Sequence, residues 1–257
     1  MIDTHAHLDF PQFDPDREKI IFEAKASGIK NIINIGVDLK SSRKSVELAK
    51  KYDFVYATVG VHPHDAKTLN DDVLKSIEVL AKNEKVVAIG EIGLDFYRNL
   101  SPKYVQIKAF EKQIELAKKL NLPIVVHIRN AYDDALSILI KNNVQEIGGV
   151  LHCFSGNLEQ AKEGLSLGFY LSFNGTLTYP KSRAQDIAKN TPINFILTET
   201  DCPYLTPTPF RGKRNKPSYV RFVLEKLSEL FPDKSFEEIE KITEENAFKL
   251  FKLGNRL

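Results

Sequence analysis

Short apolar runs rich in Val, Ile and Phe recur along the chain, and between them apolar residues return every three or four positions. The runs predict strands at Met1–Thr4, Asn31–Gly36, Phe54–Gly60, Val86–Glu91, Ile124–Ile128, Gly149–Cys153, Phe169–Phe173 and Phe195–Thr198. The intervening stretches predict helices at Pro15–Ser27, Ser42–Tyr52, Val73–Lys82, Lys103–Leu120, Asp133–Asn142 and Leu158–Leu167. In the longest of these, Val105, Ile107, Phe110, Ile114, Ala117 and Leu120 fall largely on one helical face. Two further helices, Tyr219–Leu230 and Phe236–Lys252, follow the final strand. Near-continuous apolar strands that alternate with helices imply a parallel sheet covered on its outer side. Eight such units within about 200 residues predict a single (β/α)8 TIM barrel with extra C-terminal helices. An open doubly wound sheet is the competing arrangement. No Gly/Ser-rich linker, low-complexity tract or composition shift interrupts residues 1–257, so one domain is expected.

Composition narrows this picture. With 42% hydrophobic and 27% charged residues, the chain has the balance of a globular protein. A domain of this length buries roughly three quarters of the surface of its unfolded chain, so it needs no disulfide or structural metal. Cys153 and Cys202 are too few for a disulfide scaffold and are expected to be reduced thiols. The opening MIDTHAHLDF lacks a basic, then apolar, leader pattern, and no 18 apolar residues run together. A cytoplasmic location is the corresponding expectation. The net charge of +2 does not itself point to nucleic acid.

The six histidines change the argument. His5 and His7 follow the first predicted strand, His62 and His64 the third, His127 ends the fifth and His152 the sixth. In a barrel all these strand ends converge on one rim, where active sites are built. A lone histidine at a strand end is usually a hydrogen-bonded residue, but all six at equivalent places form a cluster. The same rim receives Glu91 and Asp95, Asn174, and Glu199 with Asp201. Side chains alternate along a strand, so His5 and His7 point to the same side and can share one cation. Imidazole with carboxylate suits zinc, manganese, iron or nickel, with magnesium possible where carboxylate and water dominate. The absence of a cysteine cluster favours a catalytic over a structural metal. Strand alternation turns Cys153 away from His152, toward a helix.

These motifs together resemble the TatD-type metal-dependent deoxyribonucleases of the amidohydrolase-like barrels. Asp3-Thr4-His5-Ala6-His7-Leu8 looks like their opening HxH segment, Gly60-Val61-His62-Pro63 their second signature, and Ala88 to Asp95 their central glutamate motif. Pro123 to His127, Leu151 to Gly156 and Thr198 to Pro203 complete the set in the same order. The resemblance implies two divalent cations (magnesium, manganese, zinc or similar). His5, His7 and Asp201 would hold the first, His127 and His152 the second, with Glu91 as bridge. It implies exonucleolytic phosphodiester hydrolysis of single-stranded DNA or another nucleic acid by metal-bound hydroxide, with Asp201 and Glu91 catalytic. Glu199 would orient ligands, and His62 would face the substrate phosphate.

The substrate has one further sequence signal. Arg211, Lys213, Arg214 and Lys216 crowd into a single segment after the last strand, where barrels often bind phosphate. The family's Arg-Asn-x-Pro segment matches Arg214-Asn215-Lys216-Pro217, which implies substrate contact by Arg214 and Asn215. Tyr204 and Phe210 can stack on bases or simply pack, and Arg98 and Arg129 can reach an anion or form rim salt bridges. His64 reads as an ordinary loop residue. Two other readings compete: a small-molecule amidohydrolase, lactonase or phosphotriesterase on the same barrel, and a metal-binding protein without turnover.

Overall fold

A computed structural model describes residues 1–254. Eight parallel strands pair in chain order: β1 Ile2–Ala6, β2 Asn31–Asn34, β3 Val55–Val59, β4 Val86–Asp95, β5 Ile124–Arg129, β6 Gly149–Leu151, β7 Phe169–Phe173 and β8 Ile196–Thr198. The circle is closed by the segment leaving β8. Ala6 bridges Cys202, Asp201 N–H donates to the His5 carbonyl at 2.8 Å, and His7 N–H donates to the Cys202 carbonyl at 2.9 Å. The result is the expected (β/α)8 barrel.

Helices α1 Arg17–Ala26, α2 Leu39–Lys51, α3 Asp71–Ala81, α4 Lys103–Leu120, α5 Tyr132–Lys141 and α6 Leu158–Ser166 lie where periodicity placed them. A seventh, α7 Arg183–Lys189, was not foreseen, since seven residues hold too few turns for a period to show. The closing pair is α8 Val220–Leu230 and α9 Phe236–Phe251. Capping chemistry fixes several starts: Asp38 accepts from Ser41 N–H at 2.6 Å, and Asn157 with Gln160 forms a reciprocal capping box. Among the described residues no helix is long and apolar enough to cross a membrane.

Strand residues split by parity into two apolar layers. Ile32, Val86, Ile124, Val126, Phe169, Leu171 and Ile196 belong to the outer layer, packed under the helices. Ile2, Ile33, Val87, Val125, Val150, Tyr170 and Leu197 form the inner layer, whose helical partners are Ala247, Leu250 and Phe251 of α9. That end of α9, with Leu253 beyond it, plugs the base of the barrel. Phe251 is 1% exposed, and burying such a ring is worth about 1.5–3 kcal/mol. Polar bonds fasten the plug. The Met1 amine meets Glu244 at 2.5 Å and Glu240 at 2.6 Å, and Lys30 Nζ meets Glu244 at 2.7 Å. Asn246 Nδ2 donates to the carbonyls of Ile193 and Ile196 at 2.9 and 2.8 Å.

β4 departs most from expectation, running on to Asp95 instead of stopping at Glu91. Gly93 makes this possible. Its φ of +136° is open to glycine, and a Cβ there would stand 2.1 Å from the His127 carbonyl oxygen of β5. The register against β5 also shifts between Ile89 and Ile92, the step that contains Glu91. Beyond the shift Gly93 lies opposite His127 and Asp95 opposite Arg129.

Candidate metal centre

The irregular end of β4 places Glu91 at the middle of the rim, buried at 3% exposure. Its two carboxylate oxygens face different histidines. Oε2 lies 3.4 Å from His5 Nε2 and 3.9 Å from His7 Nε2. Oε1 lies 2.8 Å from His127 Nδ1, 3.3 Å from His152 Nε2 and 3.5 Å from His62 Nε2. Asp201 stands across from Glu91 on the first side, its Oδ1 3.3 Å from His7 Nε2 and 3.7 Å from His5 Nε2. The segment after β8 delivers it there in a left-handed conformation, φ 55°. Its backbone is held by the His5 carbonyl that closes the barrel.

Three groupings of ligand atoms are tight enough to hold an ion: His5 with His7 and Glu91, His62 with Glu91 and His127, and His5 with His152 and Asp201. Two ligands on one zinc-sized ion lie roughly 3–3.5 Å apart, given metal–ligand distances of about 2.0–2.2 Å. The spacings above fall in or near that range. The Nε2 atoms of His5 and His7 face each other at 3.2 Å, where at most one proton can serve both. A cation satisfies both lone pairs at once. His5 Nδ1 and His7 Nδ1 are buried without a hydrogen-bond partner. Among the described residues no Lys or Arg forms an ion pair with Glu91, Asp95, Glu199 or Asp201, whose charges are met only by histidines. The donor set fits divalent cations.

The electrostatics express the same crowding. Burial would raise the Glu91 carboxyl, yet the histidines around it, His152 foremost, hold it well below the usual carboxylate range. Burial pushes His62 down to about 4 and also lowers His5, leaving them as neutral imidazoles suited to ligation. Burial opposes charge on His152 too, but Glu199 and Glu91 drive it well above its ordinary value. His7 and His127 rise in the same manner, against burial, through Asp201 and through Asp95 with Glu91.

A second layer of bonds orients these rings. Glu199 Oε1 meets His152 Nδ1 at 3.1 Å, while its carboxylate also accepts from Ser172 Oγ at 2.5 Å and Asn174 Nδ2 at 3.1 Å. His152 holds the Glu199 carboxyl near 2 despite burial. Asp95, fully buried, accepts from Arg98 N–H at 2.7 Å and meets His127 Nε2 at 3.2 Å and His64 Nε2 at 2.8 Å. His64, expected to be an ordinary loop residue, lies in a short 3-10 helix after β3 and acts through Asp95, a role with no mark in the sequence.

The rim corrects the expectation for Cys153. β6 ends at Leu151, and Cys153 takes φ 47°, so strand alternation no longer governs it. Its thiol lies within reach of Asn174 and in the field of His152 and Asp201, and burial pushes it up to about 12. That keeps it an inert thiol. Cys202, beside Pro203, is fully buried.

Arg214 and Asn215 sit apart from the cluster. The Arg214 guanidinium grips the Asp16 carboxylate at 2.6 and 2.9 Å and lies over the Phe13 ring. Asn215 is fully buried, with Nδ2 donating to the carbonyls of Thr200 and Tyr204 and Oδ1 accepting from Lys216 N–H. Both side chains shape the loop that carries Asp201. Phe210 stacks on Tyr219 at 4.7 Å, whereas Tyr204 remains 48% exposed.

The TatD related DNase family profile matches residues 2–252. The chain is 45% identical over 255 residues to YabD of Bacillus subtilis, an uncharacterized metal-dependent hydrolase, covering 99% of this chain and all of the relative. It is 35% identical over 258 residues to the 3'-5' ssDNA/RNA exonuclease TatD of Cronobacter sakazakii, covering 98% of this chain and 97% of that one. The crystal structure of YjjV, a TatD homologue from Escherichia coli, superposes with a TM-score of 0.92 at 32% identity over 98% of both chains.

Proposed function

Because the chain belongs to the TatD related DNase family, we propose that it is a metal-dependent exonuclease that hydrolyses phosphodiester bonds of single-stranded nucleic acid. The observation that carries this reading is the double-faced Glu91, one oxygen toward His5 and His7 and the other toward His62, His127 and His152. We assign His5, His7 and Asp201 to one divalent cation, His127 and His152 to a second, and Glu91 to both. His62 stands beside the second group, within 3.5 Å of Glu91, at the place for a substrate phosphate or a further ligand. Two cations, when bound, acidify water and neutralise charge on the phosphoryl oxygens.

The chain's own residues do the rest. Asp201, the most exposed of the central carboxylates at 15%, takes or positions the proton of the attacking water. Glu199 and Asp95 fix the rings of His152 and His127, so the ligands are set before substrate arrives. Expressed protein supplied with manganese or magnesium should release mononucleotides from end-labelled single-stranded DNA and leave carboxylic esters, amides and lactones intact. Turnover of a lactone or amide with none of the oligonucleotide would assign the site to small molecules.

A further inference from the structure

An open groove of about 880 Å³ crosses the rim beside the metal centre, a size typical of ligand sites. It is lined by Arg129 at the end of β5, Tyr132 at the start of α5, the segment from Ser155 into the start of α6, and Arg183 on α7. The residues after β5 and β6 follow the strands that lead to His127 and His152, and α7 follows the neighbouring β7. Arg129 follows His127 by two residues, so the groove starts where the candidate ligands stop.

The arginines on this side have no carboxylate partner. Among the described residues Arg17, Arg214 and Arg221 pair with acids. Arg98, Arg129, Arg183 and Arg211, which stand at or beyond the ends of rim strands, form no such pair, and neither does Arg43 on α2. Arg129 instead lies over the Tyr97 ring at 4.1 Å, and Tyr97 is 61% exposed. The Phe96 N–H bond to the Arg129 carbonyl, 2.9 Å, ties the two loops together. An exposed aromatic face beside an unpaired guanidinium is what single-stranded nucleic acid uses, a base on the ring and a phosphate on the charge.

We propose that this groove seats the nucleotides adjoining the scissile phosphate, their phosphates on Arg129 and Arg183 and one base on Tyr97. The inference rests on the nuclease reading and adds the path of the strand to it. A substrate cut at its end must still run somewhere, and this groove leads away from the cluster along the β5–β7 side. Glu159 and Asp186 also line it and work against a polyanion, which gives the proposal a second, opposite signature.

The test uses the manganese-supplied full chain and oligothymidylates of two, four and eight nucleotides. Wild type should show KM falling with length. Arg129→Gln and Arg183→Gln should raise KM for the octamer about five- to tenfold, with the loss in KM rather than kcat, and flatten the length dependence. Each should also reduce the slope of log KM against log salt by about one, the mark of a lost phosphate contact. Asp186→Asn should lower KM for the octamer. Cleavage that is indifferent to length, or unchanged in both arginine variants, overturns the groove and leaves the nuclease standing. Failure of wild type to bind or cleave any of the three oligomers overturns both.

Discussion

At the base of the barrel Phe251, Leu250 and Ala247 fill the inner layer of the sheet, and the Met1 amine, Lys30, Glu240 and Glu244 beside them pair with opposite charges. At the rim a few ångströms hold five imidazoles and two carboxylates, with Nδ1 of both His5 and His7 unpartnered. The same eight strands support both ends, so the difference comes from what each strand end carries: α9 at the base, and at the rim polar side chains set by irregular backbone. Apolar area removed from water stabilises the base, whereas the rim concentrates buried polar groups that cost stability unless something fills their needs. Stability and chemistry are therefore separable here, and substitutions at the two ends should move different observables.

The largest separation is expected at Glu91. Glu91→Gln keeps the size of the side chain but halves its capacity to serve both sides of the centre. Turnover should fall by roughly 10³-fold or more, the order seen when a central electrostatic element is lost. Added metal should also raise the melting temperature of the variant less than that of wild type, since a side chain facing both groups of ligands has lost its charge. A lower melting temperature with activity retained would make Glu91 a structural residue.

Phe251→Ala is the mirror experiment. Emptying the plug should cost about 3–5 kcal/mol in urea unfolding, while turnover per folded molecule stays within about twofold. A change in kcat as large as the change in stability would mean that the base and rim are coupled.

The smallest effect concerns acid stability. Lys30 and the Met1 amine hold the Glu244 carboxyl below its ordinary 4.5, against the burial that would raise it. A depressed folded-state value means the stabilisation is present above 4.5 and fades as pH falls through the lower folded value. Glu244→Gln should thus lower stability at neutral pH and remove part of the decline at acid pH. Parallel stability–pH curves for variant and wild type would show that this pair does not fasten α9.

How much of this was legible in the sequence follows the same division. Strand runs such as Ile124–Ile128 and the helix Lys103–Leu120 were plain, because burial on one face imposes a period on the residues. The gathering of histidines at the rim was also plain, since barrel topology converts positions after strands into neighbours in space. What stayed hidden depended on local backbone. Nothing in Glu91–Asp95 announces that Gly93 carries the strand past Glu91 and brings Asp95 beneath His127 and His64. Cys153 turned inward because a left-handed residue ended the alternation. The basic segment at 211–216 read as a polyanion surface, but Arg214 pairs with Asp16 and Lys216 with Glu23, partners some 200 residues away in the chain. Of the unpaired rim arginines, Arg211 lies in this segment, whereas Arg98, Arg129 and Arg183 stand on other segments of the rim, a fact that only the fold exposes.

The central claim is that the rim cluster is a metal centre for phosphodiester hydrolysis. The most direct measurement is a titration of manganese or zinc into chelated protein, following cleavage of end-labelled single-stranded DNA, with His127→Ala alongside. Cleavage should be absent after chelation and recover to saturation with added metal, and the titration curve for His127→Ala should be displaced to higher metal with a lower plateau. Cleavage that survives chelation, or a variant curve that overlays wild type, would contradict the claim.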